Sequence, residues 1–292
     1  MTDPAELLRQ ADARHATVLA WLRRDPGPAV VLCDHTPRQH PARTVRLDEC
    51  LAHVEAYRLV DLARAAGGLH LDLGDCRAGR ARPELAALAR LMGEGRLGLE
   101  VPEGLPAGPL ADVARPPVSR RSALGLRRAE PALHPAGSDA HQRLLESLAV
   151  AGVDDASVSS PALALEATGC IACGVCVQAC PHDALSLTHA GGLSSLRHDP
   201  SRCHGERACI THCPAQALSS PAPLPWQAAL EADATTLTTV NTTTCRRCRS
   251  RFPDDGDQTC PHCRARNADP FGVHLPPEVL DRLGRGPDGR RL

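Results

Sequence analysis

Cys170, Cys173, Cys176 and Cys180 are spaced C-x2-C-x2-C-x3-C, and Pro181 follows the last. Three thiolates two residues apart can wrap one corner of an iron–sulfur cubane. A fourth, set after three residues, points away toward a second cluster. Such a run is a cradle that moves electrons. Gly174 lets backbone approach inorganic sulfide closely, so that neighbouring amides can donate to it. Pro181 fixes the exit of the loop.

A degenerate copy follows: Cys203-His-Gly-Glu206-Arg-Ala-Cys209-Ile-Thr-His-Cys213-Pro-Ala-Gln-Ala-Leu218. Both copies end in C-P-x-x-A-L, which marks an internal repeat. Residues 160–220 resemble the bacterial dicluster ferredoxin family. That family crosses its ligands between halves. The resemblance implies that Cys170, Cys173, Cys176 and Cys213 hold one [4Fe-4S] cluster, and that Cys180, Cys203 and Cys209 hold the other. The second repeat departs from the family at Glu206, where a cysteine is expected. A carboxylate there resembles the aspartate of ferredoxins that carry [3Fe-4S]. Three outcomes stand open: [3Fe-4S] on three thiolates; [4Fe-4S] with Glu206, or less favourably His204 or His212, on the fourth iron; or three free thiols. An occupied site is favoured, because the three remaining ligands keep their spacing. Two adjacent clusters also suit electron hopping better than structural stapling.

Cys245-Arg-Arg-Cys248 and Cys260-Pro-His-Cys263 are a pair of C-x2-C knuckles. Each turns two thiolates onto one metal, and together they make a tetrahedral S4 site suited to zinc. The segment resembles a zinc ribbon over residues 243–266. Rubredoxin-like iron is the rival, but Arg249 and Arg264 stand where that family has glycine, and only Phe252 and Phe271 supply nearby aromatic packing. Arg246, Arg247, Arg249, Arg251, Arg264 and Arg266 make the ribbon locally basic, a surface for an acidic protein or nucleic acid. Asp254, Asp255 and Asp257 dilute it, which favours an ordinary solvated surface.

Cys33, Cys50 and Cys76 each fall at or just beyond a predicted strand or its following loop. Ligands gather at the carboxyl ends of strands in open α/β sheets, so these three are candidate metal ligands, with His35, His40 and His53 as possible additions. The alternative is that they are small buried hydrophobes, as cysteine often is. The arrangement resembles the iron–sulfur delta subunit of methyl-viologen-reducing hydrogenases, which pairs a small α/β layer with strand-end cysteines; close C-x2-C pairing is missing here. No P-loop, complete dinucleotide fingerprint, nucleophile elbow or H-E-x-x-H occurs.

The elements that must position these residues follow from periodicity. Strands are predicted at 29–33, 44–47, 69–73 and 97–101, and helices at 4–24, 51–66, 83–93 and 138–150, with Asp3 and Ser138 as caps. Strands alternating with helices imply a mostly parallel sheet. The expected fold is α+β and multidomain: an α/β layer over 1–101, a Pro/Arg-rich linker over 102–137, the dicluster ferredoxin domain over 138–225, the ribbon over 226–275 and a flexible tail over 276–292.

The 292 residues suffice for about two domains of ~150. The net charge of −1 and 2% aromatics disfavour nucleic acid as a partner. Lysine is absent, a mark of biased genomic composition. Three of the 14 cysteines lie in the first hundred residues and the rest between 170 and 263, a metal-binding pattern that points to a reducing, cytoplasmic setting. The N-terminus has no leader pattern, and no apolar run reaches about 18 residues, so no membrane span is expected.

The reading that follows is an iron–sulfur electron-transfer protein: a ferredoxin-type subunit or accessory of an oxidoreductase such as a hydrogenase or formate dehydrogenase. The main alternative is a zinc-ribbon binding or redox-sensing protein with a structural cluster. A catalytic subunit is a third reading, but no acid–base constellation accompanies Cys33, Cys50 and Cys76.

Overall fold

The computed structural model describes residues 4–36, 39–74, 76, 82–117, 134–135, 138–155, 157–231 and 233–268. Asp3, the whole stretch 118–133, Phe271 and the tail from 276 lie outside them. The chain packs into two compact units. The first comprises residues 1–164, 200–205 and 222–233; the second comprises 165–199, 206–221 and 234 onward.

The first unit is built on a parallel sheet. Its strands are β1 (Ala29–Leu32), β2 (Thr44–Arg46), β3 (Leu69–Leu71), β4 (Leu97–Gly98) and β5 (Leu110–Asp112), in spatial order β4-β3-β1-β2-β5. The central strand β1 is Ala-Val-Val-Leu and buried at every position, as a strand covered on both faces must be. Strand β5 lies inside the stretch expected to be a linker. Its three residues carry no periodic signal of their own and are held by pairing with β2, Val45 opposite Ala111.

Helices α1 (Pro4–Arg24), α2 (Ala56–Ala66), α3 (Pro83–Met92) and α4 (Ala140–Ala151) also belong to this unit. Leu19, Leu22, Leu59, Leu62, Leu85 and Leu91 are buried in one continuous core with the sheet. Pro83 opens α3, where a missing N–H costs nothing. Gly67 ends α2 in a left-handed conformation, φ 78°, which glycine adopts without a Cβ clash. Two boundaries differ from expectation. The helix predicted from 51 begins at 56, because residues 51–53 form a turn in which His53 N and Val54 N both donate to Cys50 O. Asp139, not Ser138, caps α4: its carboxylate accepts from Gln142 N at 2.8 Å, and Gln142 Oε1 accepts from Asp139 N at 3.2 Å. Beneath α1, the buried Arg43 guanidinium lies 4.5 Å over the Trp21 ring and donates to Leu22 O and Asp25 O, closing the carbonyl end of the helix.

The first unit closes with β6 (Ser159–Leu163), β11 (Pro223–Pro225) antiparallel to it, and α7 (Trp226–Glu231). The second unit holds two further sheets. One is the short antiparallel pair of β7 (Glu166–Ala167) and β10 (Leu218–Ser219). The other has four strands in the order β13-β12-β9-β8, from β8 (Leu185–Ala190), β9 (Leu193–His198), β12 (Thr235–Thr244) and β13 (Arg251–Pro253). Gly191 and Gly192, at φ 54° and 86°, make the tight turn between β8 and β9. Short helices α5 (Val175–Ala179) and α6 (Ala208–Thr211) carry cysteines, and α8 (Pro261–Ala268) follows the last knuckle. Among the described residues no helix is long and apolar enough to cross a membrane.

Candidate metal centres

Pairing of β7 with β10 sets the geometry of the first centre. Ala167 stands opposite Leu218, and Thr168 N donates to Ala217 O at 2.8 Å. The chain just before Cys170 is thereby zipped to the chain just after Cys213. The result is a cavity whose walls include Cys170, Cys173, Cys176 and Cys213, with Leu187 and Leu196 from the β8–β9 hairpin. Two backbone amides already serve sulfur: Ala172 N donates to Cys170 Sγ at 3.4 Å, and Ala217 N to Cys213 Sγ at 3.2 Å. Burial, with the charges of Cys170 and Cys173 beside it, pushes the Cys176 thiol up to about 11. A buried thiolate group of this kind needs a cationic centre among its members. The apolar walls and sulfur corners fit an iron–sulfur cubane.

The second repeat copies the backbone of the first. Left-handed residues recur at matching places: Ala172 and Gly205 (φ 54° and 79°), Gly174 and Arg207 (74° and 60°), Asp183 and Gln216 (51° and 49°). Gly174 and Arg207 each cap a cysteine-bearing helix, α5 and α6. Their carbonyls accept matching bonds, from Val177 N at 3.1 Å and from Ile210 N at 3.0 Å. Arg207 takes this conformation without glycine's freedom, so the loop keeps a shape that its own sequence does not favour. Glu206 therefore occupies the backbone slot of Cys173.

Glu206 is half exposed, and its Oε1 lies 3.1 Å from His182 Nε2. Cys209 is buried on α6, and Cys180 caps the end of α5. Cys203 belongs to the first unit, where it is buried and accepts from Leu163 N at 3.5 Å. His204 faces Asp139 at 3.5 Å, and its ring lies against His141.

The two C-x2-C knuckles converge tightly. The Sγ atoms of Cys245, Cys248, Cys260 and Cys263 all lie within 4.8 Å of one another. The first knuckle closes β12 and turns through Arg249, φ 65°; the second opens α8. Cys260 N donates to Cys245 Sγ at 3.3 Å, and Cys263 N to Cys260 Sγ at 3.5 Å. The amides of Cys248 and Cys260 pull the Cys245 thiol down to about 6, a ready thiolate. Desolvation pushes Cys263 up to about 12, so binding a metal there displaces a proton. Phe252 and three of the cysteines form the local core. Arg264 pairs with Asp255 at 2.8 Å and with Asp257, which cancels part of the basic surface. Four converging sulfurs fit one tetrahedral ion.

A third group was only partly legible in sequence. Cys33, Cys50, Cys76 and His35 each place a ligand atom within 4.8 Å of the others. Of the three histidines considered, His35 joins the cysteines, whereas His40 instead accepts from Ala42 N at 3.1 Å. C-x-H at 33–35 is too short a pattern to be read alone; the turn at 51–53 is what brings Cys50 round. Burial, followed by the neighbouring thiols, pushes Cys33 up to about 12.

Residues 169–217 match the family described as 4Fe-4S dicluster domain. This segment is a dicluster ferredoxin domain. A "Ferredoxin" from Pyrobaculum islandicum (strain DSM 4184 / JCM 9189 / GEO3) is 42% identical over 50 residues, which span 17% of this chain and 44% of that relative. The match thus covers less than half of the ferredoxin's length. The dicluster segment spans the cysteines of both repeats, with Glu206 inside the second.

Proposed function

We propose that this protein is an iron–sulfur electron carrier, a ferredoxin-type subunit or accessory of a larger oxidoreductase such as a hydrogenase or formate dehydrogenase. The observation that carries the reading is the convergence of Cys170, Cys173, Cys176 and Cys213, from both halves of the repeat, on one cavity within a dicluster segment. A [4Fe-4S] cluster there supplies one-electron redox chemistry. The polypeptide's part is to hold four thiolates in place, exclude water with Leu187 and Leu196, and aim amides at sulfur.

The second cluster draws on Cys180, Cys203 and Cys209, carried over from the family pattern. The left-handed residues of the repeat support an occupied cradle there. With its carboxylate paired to His182, Glu206 leaves three thiolates, which suits [3Fe-4S]. Unlike ligand sets give the two clusters different potentials, so that electrons pass in a preferred direction. The ribbon holds zinc on Cys245, Cys248, Cys260 and Cys263. In this modular α+β arrangement the parallel-sheet layer and the ribbon dock the cluster domain against its redox partner, in a reducing cytoplasm. Pairing of Arg264 with two aspartates favours a protein surface over nucleic acid.

An anaerobic redox titration followed by low-temperature EPR tests the proposal. Two one-electron transitions at separate potentials are expected, one with the signal of an oxidised [3Fe-4S] cluster. Iron that neither accepts nor returns an electron would overturn the carrier reading.

A further inference from the structure

We propose that Cys33, His35, Cys50 and Cys76 form a closed, mononuclear zinc site at the carboxyl edge of the parallel sheet. The site is independent of the clusters and of the ribbon.

Its position comes from topology. Cys33 directly follows β1, Cys50 lies in the turn after β2, and Cys76 follows β3. These are the three adjacent strands β3-β1-β2, with β1 pairing in parallel to both neighbours. The strand order reverses direction at β1: the chain steps to one side for β2 and to the other for β3. Loops diverge at such a point and leave a crevice at the carboxyl ends of the strands, where ligands bind. All three cysteines and His35 sit at this crevice.

The ligand geometry selects one ion over a cluster. Zinc holds sulfur at about 2.3 Å and nitrogen at about 2.0–2.1 Å, which sets tetrahedral ligand atoms roughly 3.5–3.8 Å apart. Here all four lie within 4.8 Å, and Cys50 Sγ stands 3.4 Å from Cys76 Sγ. An iron–sulfur cluster would put its own sulfides between these atoms, as the cavity between Cys170 and Cys213 allows. Three cysteines and one imidazole complete a structural zinc shell and leave no position for a substrate.

The surroundings favour metal over plain burial. Leu51 N donates to Cys33 Sγ at 3.2 Å, and Ala52 N to Cys50 Sγ at 3.4 Å. Amides aimed at sulfur stabilise thiolate, which a buried apolar cysteine does not require. Asp34 Oδ1 lies 3.1 Å from His35 Nδ1. With a proton on Nδ1 donated to that carboxylate, Nε2 keeps its lone pair for the metal, an orientation common among zinc-bound histidines. Cys33 and Cys76 are buried and His35 is exposed, so the imidazole closes the solvent side. The ion ties together the chain segments that follow three adjacent strands.

The test uses full-length protein purified anaerobically, with the ribbon disabled by Cys245→Ser and Cys248→Ser. Elemental analysis should find one zinc per chain. Zinc K-edge X-ray absorption should give a shell of three sulfurs and one nitrogen. Adding Cys33→Ser and Cys50→Ser should abolish that zinc and leave iron unchanged. Should the disabled ribbon prevent folding, wild-type protein should hold a zinc with the same three-sulfur, one-nitrogen shell, averaged with any ribbon zinc. His35→Ala, a solvent-side change that leaves the fold intact, should speed zinc loss to a chelator at least ~10-fold. The proposal is overturned by a zinc shell of four sulfurs only, by iron lost with Cys33 and Cys50, by a Cys50–Cys76 disulfide, or by zinc release indifferent to His35.

Discussion

The two units are held together by different means. In the first, leucines from α1, α2 and α3 meet a parallel sheet in a continuous core. In the second, cysteines stand where a core would be: four line a cavity, and three more with Phe252 make the ribbon's centre. A sequence with 2% aromatics has few large side chains to fill both. Where apolar volume runs short, metal coordination replaces it. The first unit therefore rests mainly on apolar burial, with its metal-ligand group confined to one edge of the sheet, while the second depends more on what its sulfurs hold.

Metal removal should break this comparison most sharply. Structural zinc binds zinc-finger peptides with about 10–16 kcal/mol at neutral pH, free energy that appears as folding stability. Stripping the ribbon ion with an anaerobic chelator, or by Cys245→Ser, should expose the amides of residues 245–268 to hydrogen exchange. The amides of α1 and α2 should stay protected. Cys213→Ser should remove about four irons per chain, the whole of one cubane, by iron analysis. The converse change belongs to the first unit. Leu62→Ala, at a fully buried position, should cost about 2–5 kcal/mol in denaturant unfolding of that unit and leave the iron spectrum untouched.

Glu206→Cys sharpens the contrast within the second unit. It restores a fourth thiolate in the slot matching Cys173, so iron should rise by about one atom per chain and the [3Fe-4S] signal should vanish. Acid has the smallest expected effect, and it acts on the first unit. His15 is buried on α1, and burial holds its pKa below the ordinary value of 6.5 despite Asp61 at 3.8 Å. Asp61 itself is desolvated, yet His15, Ser147 and His134 together hold it below 3.8. Both groups bind protons more readily in the unfolded chain, so stability rises with pH. The His15 contribution is complete above about pH 6.5 and falls as acid is added; the Asp61 contribution persists until below about pH 4. Denaturant midpoints measured between pH 7.5 and 5 should decline modestly, and His15→Gln should flatten the decline.

Much of this was legible in sequence because the signals were local. C-x2-C spacing and the repeated C-P-x-x-A-L named the cluster segment, and the apolar run Ala29–Leu32 named the central strand. What was hidden depends on partners distant in the chain. Strand β5 exists through its pairing with β2, so a Pro-rich stretch read as linker contributes an edge strand. The cap of α4 fell one residue from Ser138, since both residues can cap and only the reciprocal bond with Gln142 decides. Cys50 reaches Cys33, His35 and Cys76 through a turn at 51–53, where the first helical turn was expected. The pairing of Glu206 with His182 spans 24 residues and leaves no mark in either repeat.

The central claim is that one backbone repeat carries two unlike clusters. Mössbauer spectroscopy of anaerobic, iron-57-enriched wild-type protein tests it most directly. The account predicts about seven irons per chain in two components, in the four-to-three ratio of [4Fe-4S] and [3Fe-4S]. A single four-iron component, with the Cys180, Cys203 and Cys209 thiols free to alkylation, would contradict it.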